Sequence, residues 1–177
     1  MVVIAISGKP GAGTSTISKE LAKKLGIDYF SPGQKFFKPS ERMDDTHEAL
    51  NTWKTKKGSS KDFHKQIDDY QRQLAKKGNI VICGKLSIWV LKDLADFKVW
   101  LDCDFEERAG RSAERDGINL EEARRKLKER EETEKQEWKR IYDFDRDVQQ
   151  EMADLVIDTS KMSVKEVVEK IITLGKT

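Results

Sequence analysis

Gly8-Lys9-Pro10-Gly11-Ala12-Gly13-Thr14-Ser15 places three glycines and two hydroxyl side chains one residue after the apolar run Val2–Ile6. Glycines let a backbone turn tightly and bring its N–H groups onto an anion. A helix starting at the end of such a loop adds unsatisfied amides and the positive end of its dipole. The chemistry implied is a cradle for nucleotide phosphates made of Gly8, Lys9, Gly11, Ala12, Gly13, Thr14, Ser15 and Thr16, with the Ser15 hydroxyl placed to meet a magnesium ion. One position departs from the usual pattern G-x-x-x-x-G-K-[ST]: Thr14 stands where a lysine reaches the β- and γ-phosphates. Threonine donates one neutral hydrogen bond and brings no charge. Lys9 either folds back as a substitute or points to solvent, and solvent is the simpler expectation.

The elements around the loop must position it. Val2–Ile6 is a continuous apolar run, as in a strand buried on both faces, and Ile17, Leu21 and Leu25 mark one face of the helix that follows. Gly26 stops that helix. Ile27–Phe30, Ile80–Cys83, Phe97–Leu101 and Leu155–Ile157 read as four further strands separated by helical segments, the alternation of a parallel α/β sheet. Residues 34–78 are polar and mostly helical in pattern, broken at Pro39 and Gly58. The closing helix repeats apolar residues at Val164, Val167, Val168, Ile171 and Ile172.

Between Glu121 and Arg140 fifteen of twenty residues are charged, with both signs interleaved. That pattern suits either a solvated helix laced with i,i+4 pairs or a lid over phosphates. For a lid, Arg130 and the upstream Arg108, Arg111 and Arg115 are the candidates to turn inward. His47 and His64 lie in polar helical stretches without partners at catalytic or metal spacing, and are expected at the surface. Trp89 and Trp100 are expected to pack; Trp53 is the tryptophan placed to touch a substrate. Cys83 and Cys103 fall in apolar runs and are expected to be buried free thiols.

The bulk numbers narrow the class. With 34 basic against 32 acidic residues, the net charge of +2 gives no pull toward nucleic acid or an acidic membrane. No run approaches the ~20 apolar residues of a membrane span. A soluble cytoplasmic protein, a single domain over 1–177 and a monomer, is expected.

The chain resembles the archaeal-type cytidylate kinases, within the nucleoside monophosphate kinases. The resemblance runs nearly end to end: Ser31-Pro32-Gly33 with Phe36, Ile67-Asp68 and Gln71, Gly84-Lys85-Leu86, Ala95 to Asp102, Glu114-Arg115-Asp116-Gly117, Arg130-Glu131-Glu132 with Glu134, Tyr142, Asp145, and Ala153 to Thr159. It implies a P-loop fold with a five-stranded parallel sheet and helices on both faces, plus an NMP-binding segment (34–78) and a lid (116–145). It implies ATP with Mg2+ as phosphoryl donor and a nucleoside monophosphate, CMP or dCMP, as acceptor. Lys85, Arg108 and Arg130 would stabilise charge at the transferring group, and Asp68, Arg72 and Lys85 would form the acceptor side.

Several positions differ from the family pattern. Phe37 replaces an arginine that grips the acceptor phosphate, Cys83 an acidic residue, and Lys85 an arginine; Asp69-Tyr70 stand in an arginine-rich stretch, and Gln136-Glu137 where the lid has an arginine. One guanidinium–phosphate contact is worth ~1.5–3 kcal/mol. These exchanges therefore leave two alternatives beside the kinase: a nucleotide-binding relative with little transfer, and a kinase of the same fold for another small acceptor.

Overall fold

The computed structural model describes residues 1–37 and 45–175, leaving aside the side chains of Phe37, Asp45, His47 and Glu48. The expected break at Pro39 and the arginine-to-Phe37 exchange thus lie outside the described residues, as does the His47 side chain.

Five strands, β1 (Val3–Gly8), β2 (Asp28–Phe30), β3 (Ile80–Cys83), β4 (Phe97–Asp102) and β5 (Leu155–Asp158), form one sheet in the order β2-β3-β1-β4-β5. Every pairing is parallel. The crossovers carry helices α1 (Thr14–Leu25), α2 (Asp45–Trp53), α3 (Lys61–Lys77), α4 (Ser87–Val90), α5 (Phe105–Asp116), α6 (Leu120–Tyr142) and α7 (Gln149–Met152), and α8 (Val164–Leu174) follows the last strand. The fold is the expected α/β architecture.

Alternation along β1 divides the interior into two layers. Ile4 and Ile6 face Ile17 and Leu21 of α1 and Val167, Val168 and Ile171 of α8. Val3 and Ala5 face the other way, into a layer with Ala75, Ile88, Leu91, Trp100 and Trp138. A sheet covered on both faces explains why its strands are apolar runs rather than alternating patterns. Leu25 and Val164, the last residue of α1 and the first of α8, are the exposed ends of these two apolar faces.

Local signals end the helices where the site needs them. Gly26 caps α1 in the left-handed conformation. The Asn119 side chain accepts from Glu122 N at 2.9 Å to start α6, and Ser163 with Glu166 forms a capping box on α8. Asp143, at φ 53°, turns the chain sharply off α6 and brings the 3-10 turn Arg146–Val148 back beneath it. Among the described residues no helix is long and apolar enough to cross a membrane.

Candidate functional site

The phosphate loop sits at the C-terminal end of the central strand β1, between β3 and β4, where the strand order reverses. Open parallel sheets bind ligands at such a switch point. Gly11 and Gly13 adopt φ +83° and +86°, which favours glycine. A Cβ on Gly8 would lie 2.3 Å from the Leu101 carbonyl oxygen, so only glycine lets β1 pass β4 there. The first bond inside α1 runs from Ile17 N to Gly13 O at 3.0 Å, so the amides of Thr14, Ser15 and Thr16 precede the helical ladder.

The loop is braced from α5 and β5. Arg108, 4% exposed, donates from Nε to Cys103 O and from Nη1 to Pro10 O at 3.2 Å and to Glu131 Oε1 at 2.6 Å. Arg111 donates to the Thr159 hydroxyl and carbonyl, and that hydroxyl reaches the carbonyls of Ala12 and Asp102, each at 3.0 Å. Lys9 neither folds onto the loop nor points to solvent; its Nζ lies 2.9 Å from Asp102 Oδ1 at the end of β4, which corrects the solvent expectation. Arg115, a lid candidate, instead engages Asp116 and the Thr46 hydroxyl on α2.

Lys85, Arg130 and Arg146 converge on one carboxylate. Glu134, 2% exposed, accepts from Arg130 Nε at 2.9 Å through Oε1, while Oε2 lies 3.5 Å from Arg146 Nη1 and 3.6 Å from Lys85 Nζ. Burial pushes the carboxyl up, but the three cations outweigh it and hold its pKa down at about 2. Gln149, fully buried, fixes the backbone on both sides: its amide donates to the carbonyls of Lys85 and Arg146 and accepts from Trp89 N. A cavity of about 260 Å³, lined by Lys9, Arg108, Glu131, Lys135, Asp145 and Arg146 among others, opens beside this cluster. Sequence reasoning found Lys85 and Arg130 but missed Arg146, Glu134's central place and Gln149. The i,i+4 spacing of Arg130 and Glu134 was the available signal, and in so charged a helix it resembled any surface pair.

Asp68 is 6% exposed on α3, where the Tyr142 hydroxyl of α6 donates to Oδ2 at 2.7 Å. Burial pushes its pKa up to about 6, and the Tyr142 bond and the nearby Arg72 restrain the rise. Arg72 itself is half exposed and paired with Asp69 at 3.1 Å. Lys35, in the π-helical turn Gly33–Phe37, donates to the Tyr70 hydroxyl at 2.7 Å and lies over its ring, a cation that the sequence reading did not single out.

His64 is not at the surface. It is 3% exposed, its Nε2–H donates to Gly58 O at 2.7 Å, and its ring stacks on Trp53 and meets Trp138 edge-on. Burial holds its pKa below the ordinary value. Trp53 is therefore part of an aromatic cluster joining α2 and α3 to α6. Glu137, at the family's arginine position, pairs with Arg140, which donates to Ser59 O at 2.7 Å across the same junction.

Cys83 closes β3 directly under the loop. Its thiol lies against the hydroxyls of Ser18, Thr14 and Ser15, and burial raises its pKa. Among the described residues no group of three or more His, Cys, Asp or Glu could hold a metal ion. A hard cation at Ser15 would thus draw its remaining oxygens from nucleotide phosphates and water, the donor set magnesium prefers. The hydroxyl fits it.

Residues 3–161 match the family model described as Cytidylate kinase-like family. A cytidylate kinase of Ignicoccus hospitalis is 39% identical over 171 residues, covering 97% of each chain. One from Pyrobaculum aerophilum is 37% identical over 173 residues, covering 95% of this chain and 89% of its own. Among solved structures, the shikimate kinase of Acinetobacter baumannii superposes with a TM-score of 0.64 at 18% identity, covering 98% of this chain and 92% of its own; it shares the fold.

Proposed function

The chain belongs to the cytidylate kinase-like family, and from that membership we propose that it transfers the γ-phosphoryl group of ATP to CMP or dCMP. The observation that carries this reading is the convergence of three cations beside a glycine-built phosphate cradle at the sheet's switch point.

Amides of Gly11, Gly13 and Thr14 and the start of α1 hold the donor phosphates, with Gly8, Lys9, Ala12 and Thr16 shaping the loop. The Ser15 hydroxyl holds Mg2+, which neutralises phosphate charge when bound. Lys85, Arg108 and Arg130 stabilise charge on the transferring and acceptor groups, and Asp68 with Arg72 forms the acceptor pocket. The acceptor oxygen is already anionic, so these residues need only position and stabilise charge; no side chain must remove a proton. Segment 34–78 covers the acceptor and 116–145 acts as the lid, both parts of one domain that excludes water on closure. We further propose that the protein works in the cytoplasm as a monomer.

Incubation with ATP and Mg2+ and, separately, CMP, dCMP, UMP, AMP and GMP tests the reading. CMP and dCMP should give the highest kcat/KM. Preference for another acceptor would assign a different kinase of this fold, and saturable ATP binding without turnover would leave only a nucleotide-binding relative.

A further inference from the structure

Lys85 comes from the turn after β3, Arg130 from the middle of α6, and Arg146 from the turn beyond its end. Three like charges from separate elements repel, and the long side chains of Lys and Arg readily splay into water. Here they do not. Arg130 and Arg146 are 7% exposed, and the group they share with Lys85 is a carboxylate nearly sealed from solvent.

We propose that Glu134 is an internal counter-anion: a positioning residue that holds Lys85, Arg130 and Arg146 in the arrangement that receives phosphate before any nucleotide arrives. The inference rests on the kinase reading above and deepens it.

Several observations point the same way. Glu134 uses both oxygens, one for Arg130 and the other between Lys85 and Arg146, so one group lies within ion-pair reach of all three heads, with Asp147 holding the far side of Arg146 at 3.0 and 3.1 Å. The neighbouring cations are anchored likewise, Arg108 by Glu131 and Lys9 by Asp102. Glu131 is more open to solvent and lines the adjoining cavity, whereas Glu134 is enclosed and cannot be exchanged for a ligand without opening α6. Glu134 therefore stays in place and acts on the phosphate only through the cations it holds. A charge cluster organised in advance needs no rearrangement as charge moves between phosphates, and such preorganisation appears in kcat more than in substrate binding.

The test compares the full-length protein with Glu134→Gln and Glu134→Asp. Thermal midpoints are measured in sodium chloride and in sodium sulfate at matched ionic strength, and steady-state kinetics follow with ATP and CMP. Sulfate should raise the midpoint of Glu134→Gln by at least about twice as much as that of wild type, because the cations then lack their internal counter-charge and an external anion can offset it from the cavity that Arg146 lines. Glu134→Asp, which keeps the charge, should respond to sulfate as wild type does. For Glu134→Gln, kcat should fall by roughly tenfold or more while KM for CMP moves less than about threefold. Equal sulfate responses of wild type and Glu134→Gln, or an unchanged kcat, overturns the proposal. If Glu134→Gln does not fold in chloride, recovery of its folding by sulfate supports the proposal, and failure to recover overturns it. The sulfate comparison needs no turnover, so it decides the role of Glu134 even if wild type fails to phosphorylate CMP.

Discussion

Replacing Asp68 by Asn should make the protein more stable and less active at the same time. Asp68 is 6% exposed, and its pKa is pushed from an ordinary 3.8 up to about 6, mainly by burial. Because its folded pKa is raised, the folded state holds the proton more tightly than the unfolded chain. Folding stability therefore declines as pH rises from about 4 to 6, and the full penalty persists above that range. The shift of about 2 pK units corresponds to about 3 kcal/mol at pH 8. Asparagine keeps an oxygen for the Tyr142 hydroxyl without ionising. Asp68→Asn should be stabilised by up to about 3 kcal/mol at pH 8, or roughly 6–12 °C, and by almost nothing near pH 4. A carboxylate that lowers stability earns its place through function, so kcat/KM for CMP should drop about ten- to hundredfold, the loss of one charge-assisted hydrogen bond. Urea denaturation at pH 4, 6 and 8, paired with kinetics at pH 8, measures both. A stability difference that does not grow with pH would refute the linkage reasoning, and undiminished CMP turnover would remove Asp68 from the acceptor pocket.

Other perturbations give equally direct readings. Gly11→Ala forces a left-handed alanine, a strain of ~1–2 kcal/mol, and sets its Cβ 3.0 Å from Arg108 Cβ; affinity for a fluorescent ATP analogue should fall about tenfold or more with the fold retained, and unchanged affinity would contradict the cradle. His64 has a lowered folded pKa, so its contribution to stability should be lost as pH falls below its ordinary 6.5; in melts across pH 5–8 the midpoint of wild type minus that of His64→Gln should fall toward low pH, since the opposing gain from Asp68 is common to both. Cys83 and Cys103 are buried and free, so iodoacetamide at pH 8 should label both in guanidinium and neither in the native protein; native labelling would show that β3 and β4 end differently.

The fold was legible because its signals are local. Apolar runs long enough for buried strands, a glycine loop and amphipathic helices each announce themselves within a few residues, and the five strands appear where those runs do. Side chains whose roles depend on the neighbour across a gap were not legible. His64 resembles a surface residue until α6 brings Trp138 over it, and Lys9 resembles a loop cation until β4 presents Asp102. Glu134 shows the limit most clearly. In a helix where most residues are charged, nothing in its own surroundings distinguishes a buried carboxylate from its solvated neighbours; only the Asp143 turn, which returns Arg146 beneath α6, and the approach of Lys85 do so. The resemblance to cytidylate kinases supplied the acceptor side, where a single buried Asp68 carries too little pattern to be read unaided.

The most direct test follows the phosphorus. ATP labelled at its γ-phosphate is mixed with CMP, Mg2+ and the purified protein, and the products are separated over time. The label should accumulate at the β-position of CDP, with little released as inorganic phosphate because closure excludes water. Label that stays in ATP, or appears only as inorganic phosphate, would contradict the assignment.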